Sequence, residues 1–430
     1  MAIDNKDKKV LKSSIEREQN EVACSAECEK IKGSKNLNVP HLRFPEFSEE
    51  WDSFKLVELG KFIGGGTPSS SNLSFWTGSI PWISSSDIKE DNINNISISR
   101  YITEDAIEKS ATKYCPAPVI LIVSRVGVGK VALSHTSLCT SQDFCNIIDI
   151  KCHPVFLSYN LLRTMKRKSR EVQGTSIKGI TSDELQKIRV FIPKNKDEQN
   201  KISNLLTLLD ERIATQNKII YKLKSLIRGI MVELQKRGLS NGTWKKVLLS
   251  NVLTERNELN KSLYPVYSVS VIQGIVNQME YLGRSFAASD TSKYHVVHYG
   301  DLVYTKSPTG SFPYGIIKQS YNQNEVAVSP LYGVYEPKTF STGVFLHEYF
   351  KSELNTLNYL HPLVQKGAKN TINIANQRFL ESYVAIPSNA NELLAISKLL
   401  CSLNTKLEFL QNILKQSQGQ KQYLLRQMFI

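Results

Sequence analysis

The sequence lacks several features that would assign it to a common protein class. No run approaches the roughly 18 apolar residues of a membrane span, and the N-terminal stretch MAIDNKDKKVLKSS has no apolar secretory core. We therefore predict a cytoplasmic protein. Its seven cysteines are odd in number and stand at positions 24, 28, 115, 139, 145, 152 and 401. Cys24 and Cys28 lie in a polar leader, and Cys139, Cys145 and Cys152 fit no familiar zinc-binding spacing. We expect reduced, unreactive thiols and no bound metal.

Sequence motifs of catalysis are also missing. GVGK at Gly127–Lys130 is similar to the end of a phosphate-binding P-loop, but that motif requires glycine where Ser124 stands and a hydroxyl residue where Val131 stands. No HExxH, GxSxG or HRD pattern occurs, and no glycine-rich loop suits a dinucleotide or S-adenosylmethionine. We predict a tight turn between two strands at this point, no catalytic residues, and no cofactor bound by this chain.

Acidic residues are outnumbered by basic ones. The 54 Lys and Arg residues against 40 Asp and Glu residues give a formal net charge of +14. A surplus of this size favours a polyanionic partner, because Lys and Arg on phosphates release condensed counterions. A basic protein without a nucleic-acid partner is the alternative that charge alone leaves open.

A long internal repeat organises the chain. The stretch EQNKISNLL at Glu198–Leu206 returns as ELLAISKLL at Glu392–Leu400, 194 positions later. Trp51 and Trp244 stand at similar places 193 positions apart. Between these anchors the two halves differ almost completely. A period this long indicates a duplicated unit of one domain followed by one helix, and not a solenoid.

Each repeated stretch begins a long helix with a regular apolar seam. Asn195 with Glu198, and Asn389 with Glu392, are similar to capping boxes. Apolar residues then recur in alternating steps of four and three, which is typical of a coiled coil. The simplest pairing of two equivalent helices, each about 50 Å long, is antiparallel about a pseudo-two-fold axis. The predicted seam consists of Ile202, Leu206, Leu209, Ile213, Gln216, Ile220, Leu223 and Ile227 in the first helix, and of Ile396, Leu400, Leu403, Leu407, Leu410, Leu414 and Ser417 in the second.

The segments between these helices predict mixed structure. We predict strands at Pro118–Val126, Lys130–Leu133, Gly300–Lys306 and Val328–Tyr335, and a helix at residues 156–171. The prediction is an α+β fold with two mixed α/β domains separated by two long helices that pair as an antiparallel coiled coil. Its segments are a polar leader (1–38), a first domain (39–193), a first spacer helix (194–237), a second domain (238–387) and a second spacer helix (388–430).

Basic and small polar residues mark the candidate binding surfaces. RTMKRKSR at Arg163–Arg170 places five basic residues within eight, including Lys166 and Arg167, although a solvated helix face explains this run equally well. Two loops at equivalent places mix glycine with polar residues, a composition suited to phosphates and base edges. They contain the candidates Thr175 and Lys178 in the first half, and Lys369 and Asn370 in the second. Arg125 and Lys130, beside the predicted turn, are further candidates.

Several phrases together resemble the specificity subunit of type I restriction-modification enzymes. They include VPHLRFPEF before Trp51, SIPWISSSDI with Ser84 and Ser85, RVGVGKVAL, and TSIKGITSDEL. VSPLYGVYEP, AIPSNANELLAI and the terminal LLRQMF agree in the second half. The segment SPTGSFPYG, which follows the candidate Lys306 and contains the candidate Thr309, does not mirror RVGVGKV. Roles therefore cannot be copied between the halves, and this difference favours an asymmetric target.

The resemblance implies that each domain reads one half of a bipartite site in double-stranded DNA. The helices would set the gap between the halves and dock two modification (methyltransferase) subunits, and restriction/translocation subunits would complete the complex. S-adenosylmethionine, ATP and Mg²⁺ would be used by those partners. Two alternatives stay open: a stand-alone DNA-binding or coiled-coil scaffold module, and a nuclease or methyltransferase acting alone.

Overall fold

The computed structural model describes residues 38–172, 179–285, 287–366 and 372–430. It divides into two units. The first unit extends to Ala214 and includes Gln416–Ile430, whereas the second consists of Thr215–Lys415. The helices are α1 (Leu56–Leu59), α2 (Glu104–Glu108), α3 (Pro154–Val172), α4 (Ser182–Lys187), α5 (Lys196–Ser240), α6 (Gln278–Leu282), α7 (Phe340–Tyr349), α8 (Glu353–Leu360), α9 (Asn376–Phe379) and α10 (Ala390–Gln427).

The strands are short and fall into two groups. Those of the first unit are β1 (Asp52–Lys55), β2 (Lys61–Gly64), β3 (Ile80–Ile83), β4 (Arg100–Ile102), β5 (Tyr114–Cys115), β6 (Val119–Val123), β7 (Val131–Ser134), β8 (Leu138–Thr140), β9 (Phe144–Ile148) and β10 (Arg189–Ile192). Those of the second unit are β11 (Trp244–Leu248), β12 (Leu253–Glu255), β13 (Tyr267–Ser270), β14 (Gly274–Asn277), β15 (His295–Val297), β16 (Leu302–Tyr304), β17 (Ile317–Gln319), β18 (Val326–Val328), β19 (Gly333–Pro337), β20 (Gln365–Lys366), β21 (Ile372–Asn373) and β22 (Tyr383–Pro387).

The first unit is organised around an antiparallel sheet in the order β2-β9-β6-β7. Strand β6 lies within the predicted strand Pro118–Val126 and is buried on both faces. Ile120 and Ile122 pack into one hydrophobic cluster, and Val119, Leu121 and Val123 pack into another. Because successive side chains alternate between faces, an unbroken apolar run serves two layers. A second sheet, β4-β3-β8-β5, packs beyond the second cluster.

The second unit repeats this arrangement with different residues. Its sheet β12-β19-β16-β17 has the same order and the same antiparallel pairing. The antiparallel pair β11–β22 likewise repeats β1–β10. The predicted strand Gly300–Lys306 contains β16. The prediction for Val328–Tyr335 was wrong in one respect, because Ser329–Tyr332 form a turn that separates β18 from β19.

The two long helices run in opposite directions within each unit. In the first unit, Asp210 of α5 pairs with Lys421 of α10, and the backbone of Leu42 contacts Gln427 while Arg43 contacts Glu198. In the second unit, Trp244 follows the end of α5 and contacts Glu392 at the start of α10. None of the fifteen predicted seam side chains is exposed. The antiparallel pairing of the helices is confirmed.

The helix starts differ from the predicted capping boxes. The side-chain oxygens of Asn195 and Asn389 do accept backbone N–H groups, from Asp197 and Asn391, at 2.8 Å each. The carboxylates three residues later bind tryptophan instead of completing the box. Glu198 accepts the indole N–H of Trp51 at 3.2 Å, and Glu392 accepts that of Trp244 at 2.8 Å. These contacts join each long helix to the first strand of its own unit.

Candidate nucleic-acid interface

The tip of the β6–β7 hairpin places Arg125 and Lys130 at the surface of the first unit. The backbone N–H of Val123 donates to the carbonyl of Lys130 at 3.0 Å, which closes the predicted turn. Gly129 has φ +109°, and a Cβ at this position would lie 3.1 Å from Ser169, so glycine is required here. Arg125 is exposed. The Lys130 ammonium donates to the carbonyl oxygen of Ser85 at 3.1 Å, which brings two predicted site residues together.

A compact polar cluster surrounds Ser84. The Ser84 hydroxyl lies 2.9 Å from a carboxylate oxygen of Asp87, and Arg100 donates to both side chains at 2.6 Å. The Arg100 guanidinium also lies 4.5 Å from the ring centroid of Trp82, within cation–π distance. Burial alone would raise the pKa of Asp87, but hydrogen bonds from Ser84 and Arg100 hold it below its usual value. The cluster therefore holds the Arg100 guanidinium against Ser84, and Lys130 binds the next residue, Ser85.

Sequence reasoning missed Trp82, Asp87 and Arg100. Trp82 and Asp87 belong to the quoted phrase SIPWISSSDI, but no pattern singled them out. Arg100 reaches the cluster because β4 pairs with β3, which places it opposite Trp82. A pairing between strands that are far apart in sequence leaves no local signal.

The basic run on α3 is divided between internal and exposed positions. Lys166 forms an ion pair with Asp91 at 2.7 Å and also contacts Gln422, and Arg163 donates to the backbone oxygen of Ile430 at 2.5 Å. Arg167 and Arg170 are exposed. Lys166 and Arg163 thus hold parts of the first unit together, which leaves Arg167 and Arg170 as the better placed of these residues for a phosphate.

The loop candidates Thr175 and Lys178 lie outside the described residues. The chain after them returns to the hairpin, because the N–H of Ile180 donates to the Ser124 carbonyl at 2.7 Å. The described residues on the C-terminal side of this loop therefore adjoin Arg125. The other loop candidates, Lys369 and Asn370, also lie outside the described part of the chain.

The second unit carries its candidates on the equivalent β16–β17 hairpin. Lys306 follows β16 as Ser124 and Arg125 follow β6, and it has a left-handed φ of +59°. It is half-buried, and burial lowers its pKa. Thr309 and Phe312 exchange two backbone hydrogen bonds of 3.0 Å at the tip. The hairpins are thus equivalent in topology but differ in length and residues, as the sequence comparison of RVGVGKV with SPTGSFPYG predicted.

Possible metal ligands and cysteine thiols are the other chemically relevant side chains of the described residues. Within the ranges that the structure describes, no three His, Cys, Asp or Glu side chains are grouped as metal ligands. Burial raises the pKa of Cys115 to about 11 and those of Cys139 and Cys152 to about 12, which disfavours their thiolates. No helix in the described segments is long and apolar enough to cross a membrane.

Comparison with known proteins gives agreeing results. Residues 48–225 match the family model described as the type I restriction modification DNA specificity domain. The chain is 33% identical over 187 residues to the type I restriction enzyme MjaIX specificity subunit of Methanocaldococcus jannaschii, covering 41% of this chain and 42% of that protein. It is 34% identical over 177 residues to the EcoR124I/EcoR124II specificity subunit of Escherichia coli, covering 39% and 43%. The matched stretches therefore span less than half the length of these relatives.

Among solved structures, the chain is similar to the S subunit of a type I restriction-modification system from M. genitalium. The TM-score is 0.58 at 16% identity, and the match covers 91% of this chain and 99% of that one. At this identity the similarity shows a shared fold.

Proposed function

We propose that this chain, whose residues 48–225 match the family model of type I restriction modification DNA specificity domains, is the DNA target-recognition subunit of a type I restriction-modification complex. The family match carries the proposal. The net charge of +14 and the exposed Arg125, Arg167 and Arg170 support it, because a DNA-binding surface needs cations that are free to meet phosphates.

The second unit would read a second half of the target. Its four-stranded sheet has the same strand order as that of the first unit, and its β16–β17 hairpin presents Lys306 and Thr309 where the first presents Arg125 and Lys130. Because the residues differ, we propose that the two halves of the site have different sequences. The paired helices α5 and α10 would set the gap between them.

The chain would contribute recognition and no catalysis. We propose that two methyltransferase subunits bind it and use S-adenosylmethionine, and that restriction/translocation subunits use ATP and Mg²⁺. The complex would act in the cytoplasm, where both DNA and these cofactors are available. This division of labour agrees with a chain in which sequence motifs of catalysis are absent.

Methylome sequencing tests the proposal. The chain is expressed together with its methyltransferase partner in a host that lacks the system, with the partner alone as the control. We expect methylation at one asymmetric bipartite sequence with a fixed gap, and its loss without this chain. An unchanged methylation pattern in the control would overturn the proposal. Methylation or cleavage of DNA by the purified chain alone would support an autonomous enzyme, and absence of sequence-specific DNA binding would support a scaffold.

A further inference from the structure

Three lysines from different elements hold one segment of the first unit, residues 84–95. Lys130 donates to the carbonyl oxygen of Ser85 at 3.1 Å. Lys166 pairs with the Asp91 carboxylate at 2.7 Å. Lys421, from α10, donates to the backbone carbonyl oxygen of Asp91 at 2.5 Å. This anchored segment (residues 84–95) begins with the candidate DNA contacts Ser84 and Ser85.

Lys421 is the most buried of these three lysines. Only 2% of it is exposed, and its ammonium also pairs at 2.5 Å with Asp210, which is 3% exposed. The hydroxyl of Tyr159 donates to the second carboxylate oxygen of Asp210 at 2.8 Å. A buried ion pair persists only when further hydrogen bonds satisfy its partners. The hydrogen bond to the Asp91 carbonyl is therefore one of the contacts that stabilise the buried Lys421 ammonium.

The anchored segment has a backbone conformation that its surroundings must maintain. Asp91 has a left-handed φ of +60°, which is uncommon for a residue other than glycine. Two residues later, Ile93 is fully buried, and its carbonyl accepts the N–H of Leu133 at 2.8 Å. Lys421 and Lys166 bind the carbonyl and the carboxylate of Asp91 in this conformation, so the segment is fixed at Ser85, Asp91 and Ile93.

The internal repeat shows that pairing of the long helices does not itself require a lysine here. At the offset of 194, the counterpart of Lys421 is Ile227, and that of Asp210 is Asn404. Ile227 is 6% exposed and belongs to the core of the second unit. An apolar side chain therefore serves the seam at the equivalent place. In the first unit, the contact between Lys421 and the anchored segment explains why a lysine stands at this place.

We propose that Lys421 is a positioning residue for DNA recognition, which fixes the anchored segment against the C-terminal part of α10. This inference rests on the proposed function, because it assigns a role within the surface that reads DNA. Sequence reading by the first unit then depends on a residue more than 300 positions away from Ser84 in the chain.

The test compares two variants of the full chain in complex with its methyltransferase partner. Asp210→Asn removes the buried negative charge but keeps the Lys421 amine, which can donate to the Asp91 carbonyl whether it is charged or neutral. The double variant Asp210→Asn/Lys421→Met also removes the ammonium, and it keeps a neutral seam. Leu425→Ala, in the same core, is the control for loss of stability without loss of this contact. The probes are synthetic duplexes with the mapped target intact, or with either half scrambled.

We expect only the double variant to lose discrimination at one half of the target, by about tenfold or more, with the other half changed by less than about twofold. Amide hydrogen exchange over residues 84–95 should also accelerate in the double variant alone. The positioning role would be overturned if Asp210→Asn or Leu425→Ala lost discrimination as strongly as the double variant. It would also be overturned if the double variant lost discrimination equally at both halves, or if its hydrogen exchange were unchanged. If the wild-type complex itself does not distinguish intact from scrambled DNA, the proposed function fails first.

Discussion

At the scale of single residues, the two glutamates at the helix starts fit a local capping pattern but bind residues far away in the sequence. Glu198 and Glu392 stand where capping boxes place an acid, yet their carboxylates accept the indole N–H groups of Trp51 and Trp244. A buried tryptophan needs an acceptor for its N–H. Glu198 also binds Arg43 at 2.6 Å, so its charge is paired. Each pair joins a long helix to the strand that opens its unit.

Lys318 gives a prediction about pH dependence. It is 6% exposed, and burial lowers its pKa to about 8 from 10.5. Between these two values the unfolded chain binds more protons than the folded one at this group, so the free energy of unfolding rises with pH. The rise is at most about 3 kcal/mol. Urea unfolding from pH 7.5 to about 10.5 should show it in the wild type.

The variant Lys318→Met isolates this effect, since other groups titrate in both proteins. Glu348 keeps its ion pair with Lys351 at 2.5 Å in this variant. The free energy of unfolding of Lys318→Met minus that of the wild type should fall as the pH rises from about 8 to 10.5, because only the wild type gains stability at this position. A difference that stays constant over this range would show that the Lys318 pKa is not lowered in the folded state.

At the scale of elements, the long helices separate buried from exposed positions within a single turn. Leu206 is fully buried among core residues that include Leu425, whereas Leu208 is 64% exposed. We expect Leu206→Ala to lower the free energy of unfolding by about 2–5 kcal/mol, because it removes buried methyl groups and leaves a cavity. Leu208→Ala should change it by less than about 0.5 kcal/mol. Urea denaturation is the measurement. Similar losses of unfolding free energy from both substitutions would contradict the assignment of Leu206, and not Leu208, to the buried seam.

The length of the helices gives a second prediction at this scale. Removing one heptad from α5 alone should prevent correct pairing, since the two seams would no longer match. Removing matched heptads from α5 and α10 shortens each helix by about 10 Å, which corresponds to roughly three base pairs. Methylome sequencing of the doubly shortened protein should then show a smaller gap between the half-sites. An unchanged gap would refute the helices as the spacer.

At the scale of the whole molecule, the chain is a duplication in which topology is kept and surfaces differ. Both units have the same sheet order and the same terminal strand pair. Their hairpin tips differ in length. The first unit has the buried ion pair Asp210–Lys421, and the equivalent positions of the repeat in the second unit hold Asn404 and Ile227. Recurring cores with divergent loops agree with the proposed reading of two different half-sites, because loops on a common scaffold carry binding residues.

This modularity is testable by exchange. If the proposed function holds, replacing residues 39–190 with the corresponding domain of a known type I specificity subunit should change one half of the methylated target and leave the other half unchanged. The reason is that each unit has its own sheet and its own hairpin. Methylome sequencing of the hybrid is the measurement, with the parent protein as the reference. If both halves changed, the units would not read DNA independently.

The sequence by itself determined the repeat, the helix seam and the buried strand β6, because each depends on local periodicity or on self-similarity along the chain. It also predicted the β6–β7 turn from glycine. It could not determine that Arg100 meets Trp82, that Lys166 pairs with Asp91, or that Lys421 reaches the Asp91 carbonyl. Those contacts depend on strand pairing and helix packing between residues far apart in sequence. Only the tertiary structure decided which basic residues are free for a partner and which hold the fold together.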